Sequence, residues 1–136
     1  MNRVFSTFIP EGFSTLNSYL MVTGAADYIE FLKKAFYAEE LNRTVDEENS
    51  IVRNCVLKIG KSCFMVGEAK EDFPTMITSF YLFVEDPEKV YRNALKNGAT
   101  DLFPPTKMDY GDLQGGVVDP AGNYWWISRR LVKEGY

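Results

Sequence analysis

Tyr19-Leu20-Met21-Val22 and Tyr81-Leu82-Phe83-Val84 are two versions of one strand, and their recurrence decides the fold. Each is followed by a short loop, a stretch with helical spacing and a similar exit: Ala38-Glu39-Glu40-Leu41 in the first copy, Ala99-Thr100-Asp101-Leu102 in the second. An offset of about sixty residues marks a duplicated supersecondary unit. Leu16 to Val22 alternates, with Leu16, Ser18, Leu20 and Val22 on one face and Asn17, Tyr19 and Met21 on the other. Thr78 to Val84 does the same, setting Phe80, Leu82 and Val84 against Ser79, Tyr81 and Phe83. A period of two belongs to a strand with two unlike faces.

Helical spacing follows each strand. Tyr28, Ile29, Leu32, Ala35 and Phe36 form the first apolar stripe, and Val90, Tyr91, Ala94 and Leu95 the second. Asp86-Pro87 supplies an N-cap and a proline for the first helical position, and Asn97-Gly98 supplies the left-handed stop. The first helix has Tyr37 at the matching stop, where a side chain costs more than glycine would. Three strands are expected after each helix: 39–45, 51–59 and 63–67, then 101–103, 113–118 and 123–129. Asp119-Pro120-Ala121-Gly122 has the residues of a type I turn.

The chain therefore divides into an N-terminal arm (1–13), a first βαβββ module (14–67), a linker (68–75), a second βαβββ module (76–130) and a tail (131–136). The fold class is α+β: two tandem βαβββ modules forming curved mixed sheets around a shared pocket. One helix covers only one face of four strands, so the other face has to meet a second sheet or a ligand.

Composition narrows the function. The 136 residues fit one domain, and 46% apolar residues suffice for a core. A formal net charge of -4 argues against neutralising nucleic-acid phosphates. No apolar run approaches the ~20 residues of a membrane span, and residues 1–10 lack the pattern of a secretory signal. The expectation is a cytoplasmic protein with neither a nucleic-acid nor a membrane partner. A hairpin turning at Gly60-Lys61 sets Cys55 opposite position 65 or 66, so Cys55 and Cys63 are expected as two buried thiols, not a disulfide. The chain contains no histidine.

The paired modules, Lys96-Asn97-Gly98-Ala99 at a helix end, Pro104-Pro105, Tyr110-Gly111 before the penultimate strand and Asp119-Pro120-Ala121-Gly122-Asn123-Tyr124-Trp125 form an ordered set. Over residues 14–130 this set resembles the vicinal oxygen chelate superfamily, which includes glyoxalase I, bleomycin-resistance proteins, fosfomycin-resistance proteins and extradiol dioxygenases. The resemblance implies modules that enclose a pocket, and dimers in which pockets lie across a module or subunit boundary. For the enzymes it also implies a divalent metal held by His and Glu. Those ligand positions fall here on Asn17, Val56 (with Asn54 on the same face), Ser79 and Trp126. None suits zinc, iron or nickel. Mg²⁺ would need carboxylates, and no inward pair is visible: Glu85, Asp86 and Asp119 read as caps and turns. The expectation is no metal ligand, no cofactor and no catalytic residue.

The residues expected to bind a ligand are Asn17, Tyr19, Asn54, Ser79, Tyr81, Phe83, Tyr110, Tyr124 and Trp126. Aromatic walls with a few hydrogen-bonding groups are the usual composition of a small-molecule site. Two arrangements fit Trp126: it plugs the cavity, or it lines an open one. Three functions follow. The first is a binding protein that has lost the metal ligands and holds a small, partly aromatic or cationic molecule. The second is a lyase, isomerase or dioxygenase of the glyoxalase type, metal-dependent or metal-independent. The third is a non-catalytic dimeric structural or regulatory module with a filled pocket, its interface using Phe5, Phe8 and Phe13. A homodimer is expected from the resemblance. The stretch from Gly111 to Gly116 is expected to be a bend or bulge entering a strand, and Lys33-Lys34 and Arg129-Arg130 solvated pairs.

Overall fold

The computed structural model of the protein describes residues 3–136; Met1 and Asn2, the start of the expected arm, lie outside the described residues. A 3-10 turn (Arg3–Phe5) precedes two βαβββ modules. The first comprises β1 (Tyr19–Val22), α1 (Ala25–Phe36), β2 (Glu39–Asp46), β3 (Ile51–Ile59) and β4 (Ser62–Glu68). The second comprises β5 (Ser79–Phe83), α2 (Pro87–Lys96), β6 (Thr100–Lys107), β7 (Asp112–Val118) and β8 (Tyr124–Arg130). Each module is a four-stranded mixed sheet, ordered β1-β4-β3-β2 and β5-β8-β7-β6, with the first pair parallel and the rest antiparallel.

Local chemistry sets the element ends. Asp86 accepts from the Lys89 amide at 3.1 Å and Pro87 opens α2. Gly98 follows at φ +112 and stops it. Helix α1 ends at Tyr37 with φ 59, the left-handed conformation that glycine adopts without cost. Its N-terminus is closed by Glu68, whose carboxylate accepts from the Gly24 and Ala25 amides at 2.9 Å each. Glu68 thus belongs to the first module, one residue beyond the expected boundary.

Two strands differ from expectation. β1 starts at Tyr19, not Leu16, because Asn17 accepts from the Ser14 amide at 2.8 Å and holds the preceding residues in a turn. β6 runs to Lys107 through Pro104 and Pro105, where a strand ending at Phe103 was expected. It lies at the sheet edge, where a missing amide is tolerated, and its register against β7 skips from Phe103 to Thr106.

The core lies between the helix-bearing sides of both sheets. Leu20, Val22, Val66 and Leu57 from the first sheet and Val117, Trp125 and Ile127 from the second share it with both helices. Trp125 stacks on Phe36 at 4.1 Å between centroids and lies 4.5 Å from Phe80. Asp119, buried in the β7–β8 turn, accepts from the Tyr28 hydroxyl at 2.6 Å and the Trp125 indole at 2.8 Å. The carboxylate therefore ties α1 of one module to β8 of the other. Both cysteines are buried and free, and Cys55 pairs with Val66 across the hairpin as expected. No helix among the described residues is long and apolar enough to cross a membrane.

Candidate functional site

Each sheet has a second face that no helix covers. In the second sheet, strand register arranges that face in rows. Ser79, Tyr124 and Val118 form one row. Tyr81, Trp126, Gly116 and Phe103 form the next. Phe83, Ser128, Gln114 and Thr106 form a third, and Arg130 with Asp112 closes the face. The glycine at 116 lets the Phe103 ring lie close, since a Cβ there would stand 2.7 Å from that ring.

At the closed end lies a buried carboxylate. Asp112 is 0% exposed and accepts from the hydroxyls of Tyr81 and Tyr136, the latter at 2.7 Å. Its other oxygen meets Arg130 at 3.0 Å. A parallel chain of bonds runs beside it: the Tyr110 hydroxyl donates to Gln114, whose amide donates to Ser128 at 2.7 Å. Burial opposes ionisation of Asp112, but the bonds from Tyr81, Tyr136 and Arg130 outweigh it and hold the carboxyl below its ordinary range. Burial and the hydrogen bond to Asp112 push Tyr81 up to about 12. Tyr110 is also raised, by burial first and by the nearby Tyr81 and Asp112.

The expected ligand-binding residues fall into three places. Ser79, Tyr81, Phe83, Tyr110, Tyr124 and Trp126 come together on or beside the open face of the second sheet. Trp126 donates to Ser79 at 2.6 Å, and its half-buried ring lies 6.0 Å from Phe103 and 6.3 Å from Tyr124. Tyr81 and Phe83 remain 45% and 57% exposed. Tyr19 and Asn54 lie on the open face of the first sheet, Asn54 donating to the Met65 sulfur at 3.5 Å. Asn17 joins neither group, since its side chain closes the turn with Ser14. Among the described residues, no ring contact or hydrogen bond links the two open faces.

The sequence reading missed Asp112, Gln114, Arg130 and Tyr136. Strand β7 starts at Asp112, one residue before the expected 113, and Gly111 at φ +94 marks the turn that enters it. Arg130 is not a solvated residue: its side chain is 20% exposed and paired with a fully buried carboxylate. The available signal was alternation. Extending the parity of Gln114 and Trp126 by two residues toward the same sheet end reaches Asp112 on β7, and by four residues reaches Arg130 on β8.

The donor set at the positions where the enzymes of this fold hold a metal does not fit one. Val56 offers no ligand atom, Ser79 and Trp126 bond to each other, and Asn17 is held by Ser14. Asp112 is already ion-paired, and no group of three or more His, Cys, Asp or Glu side chains converges among the described residues. A separate cleft of about 790 Å³ runs along the free edge of β5, between residues 12–18 and the β3–β4 hairpin. Phe13, Asn17, Phe64 and Phe80 line it, and it meets the open face at Tyr81 and Phe83.

Comparison with known proteins agrees with this fold. No family model matches the chain. An uncharacterised protein of Mycobacterium bovis is 30% identical over 125 residues, covering 84% of this chain and 82% of the relative. Among solved structures, a gene product of Arabidopsis thaliana superposes with a TM-score of 0.71 at 24% identity, over 86% of this chain and 99% of that one. A member of the glyoxalase/bleomycin resistance protein/dioxygenase superfamily from Sphaerobacter thermophilus superposes with a TM-score of 0.66 at 17% identity, over 90% and 98%. At these identities the structural likeness is one of fold.

Proposed function

We propose that this chain, which has the fold of the glyoxalase/bleomycin resistance protein/dioxygenase superfamily, is a metal-free binding protein that holds a small, partly aromatic molecule on the open face of its second sheet. The observation that carries this reading is the row Tyr81–Trp126–Gly116–Phe103, flanked by Ser79 and the Gln114–Ser128 pair. Aromatic rings and hydrogen-bonding groups stand in register on a face that no helix covers. Such a surface stacks on planar rings and orients their polar atoms. The net charge of -4 favours a cationic ligand over an anionic one.

Catalysis has less support. General acid–base work uses groups whose pKa lies near the working pH. The carboxylate and phenol paired toward the closed end of this face are displaced away from neutrality in opposite directions: Asp112 is held low and Tyr81 is raised to about 12.

A second copy of the chain completes the proposed site. Tyr19, Met76, Ile77, Tyr81 and Phe83 are all at least 45% exposed, apolar side chains available for burial between subunits. The expected assembly is a homodimer by sedimentation.

The test is tryptophan fluorescence and thermal unfolding with planar aromatic compounds, such as indole and benzyltrimethylammonium. Saturable binding that disappears in Trp126→Ala supports the reading. An indole at position 126 that acrylamide cannot reach, with no compound altering fluorescence or the midpoint, overturns it in favour of a filled module.

A further inference from the structure

Tyr136 belongs to an exposed six-residue segment, yet its side chain is held by three groups of the sheet. Its hydroxyl donates to the buried Asp112 at 2.7 Å. The Arg130 guanidinium lies over its ring, 4.1 Å from the centroid. The Tyr81 ring meets it edge-on, at 6.2 Å and 73°. These contacts supply an acceptor for a phenolic O–H, a cation for the ring face and an aromatic wall. Tyr136 nevertheless remains 76% exposed.

The backbone around it is lightly fastened. Arg130 donates to the carbonyls of Glu134 and Gly135 at 3.0 Å each, and the Leu131 amide bonds to Gly111 at 2.8 Å. Residues 133–136 are exposed, so lifting them returns little apolar surface to water, while Leu131 and Val132, 46% and 39% exposed, stay seated on the sheet. Asp112 would keep its partners Tyr81 and Arg130, but one acceptor position would open beside the guanidinium.

We propose that Asp112, Arg130 and Tyr81 form a phenol-binding subsite, that Tyr136 is its resident occupant, and that a hydroxyaromatic ligand enters by displacing it. The proposal rests on the reading that the open face of the second sheet binds ligands, and it names the ligand's class: a neutral ring bearing a hydroxyl donor. A carboxylate in that place would face Asp112 as a like charge. A ring without a hydroxyl would leave the acceptor unmet. Segment 133–136 then acts as a strap that sets affinity, because a site open for about one tenth of the time binds about tenfold more weakly than one always open.

The probe is p-cresol, which has the tyrosine side chain's hydroxyl and ring, compared with 4-methylanisole, which lacks the donor. Both are titrated into the full chain and into Tyr136→Ala, following the unfolding midpoint. The expected result is about tenfold tighter p-cresol binding in Tyr136→Ala than in the parent chain, with 4-methylanisole ineffective in both. Tyr136→Phe keeps the ring on Arg130 and should give an intermediate affinity. Asp112→Asn should lose the preference for the phenol; should that variant not fold, Arg130→Lys, which lacks the planar guanidinium face, should weaken p-cresol binding instead. Equal affinity in parent and Tyr136→Ala, or equal response to the two probes, overturns the proposal. Trp126-dependent binding of the aromatic compounds that ignores Tyr136 sinks the subsite and leaves the broader reading intact. Binding of p-cresol to Tyr136→Ala without any Trp126-dependent ligand does the reverse.

Discussion

The Tyr28 hydroxyl donates to Asp119 at 2.6 Å and accepts from the Asn123 side-chain amide at 3.1 Å, so helix α1 is bonded to the turn before β8. The contact is buried, and burial together with the Asp119 charge raises the Tyr28 pKa far above its ordinary value. Tyr28→Phe leaves Asn123 with an unmet donor and should cost about 1–3 kcal/mol in urea unfolding. Asp119→Ala removes the acceptor of Trp125 and of the Ala121 and Asn123 amides as well, and should cost more. If the two variants are equally stable, the tie between modules is not centred on this carboxylate.

Neighbouring tryptophans should separate stability from binding. Trp125 is 2% exposed, stacked on Phe36 and packed against Phe80. Trp125→Ala should cost roughly 3–5 kcal/mol and lower the unfolding midpoint sharply. Trp126 points to the opposite, open face and is only half-buried, so Trp126→Ala should cost clearly less while altering ligand binding. Equal losses would place both indoles in the core.

Much of this architecture was legible because each unit repeats the same local signals. Alternation around Tyr19 and Tyr81, Asp86-Pro87 and Asn97-Gly98 fix elements from short range. The open-face aromatics Tyr81, Tyr124 and Trp126 followed from alternation alone. Asp112 and Arg130 did not, because they meet across two strands. Their meeting depends on register, and a slip of one residue would send either to the other face. Glycines around Asp112 read as a bend, whereas Gly115 and Gly116 make room for Pro105 and Phe103 of an irregular edge strand. Asn17 failed for the reverse reason: a local bond to Ser14 overrode the strand pattern.

The pH dependence of stability should reflect Asp112 and Tyr81 with opposite signs. Asp112 has a depressed folded pKa, so its contribution is present above the unfolded value of about 4 and is lost as pH falls through the folded value. Asp112→Asn should therefore flatten the acid limb below about pH 4. Tyr81 is raised to about 12. Its contribution is complete below the unfolded value of about 10 and is lost as pH rises through the folded value, so Tyr81→Phe should flatten the alkaline limb between about pH 10 and 12. Urea unfolding across both ranges checks this, and unchanged slopes would remove the carboxylate–phenol pair from the account of the site.

Gly116 offers the most direct test of the site's floor. An added Cβ would lie 2.7 Å from the Phe103 ring and 3.3 Å from the Leu102 side chain, both on β6. The strand can yield, since it is an edge strand with a register break on either side of Phe103. Gly116→Ala should therefore cost about 1–3 kcal/mol without unfolding the chain. The displaced Phe103 would also move relative to Trp126, whose centroid lies 6.0 Å away. The variant should accordingly shift tryptophan emission and weaken any ligand stacked on that row. Gly98→Ala provides the contrast: it strains a helix stop at φ +112 and should lower stability while leaving emission and binding unchanged. A Gly116→Ala protein with parental emission and parental affinity would mean that Phe103 and Trp126 do not act as one surface.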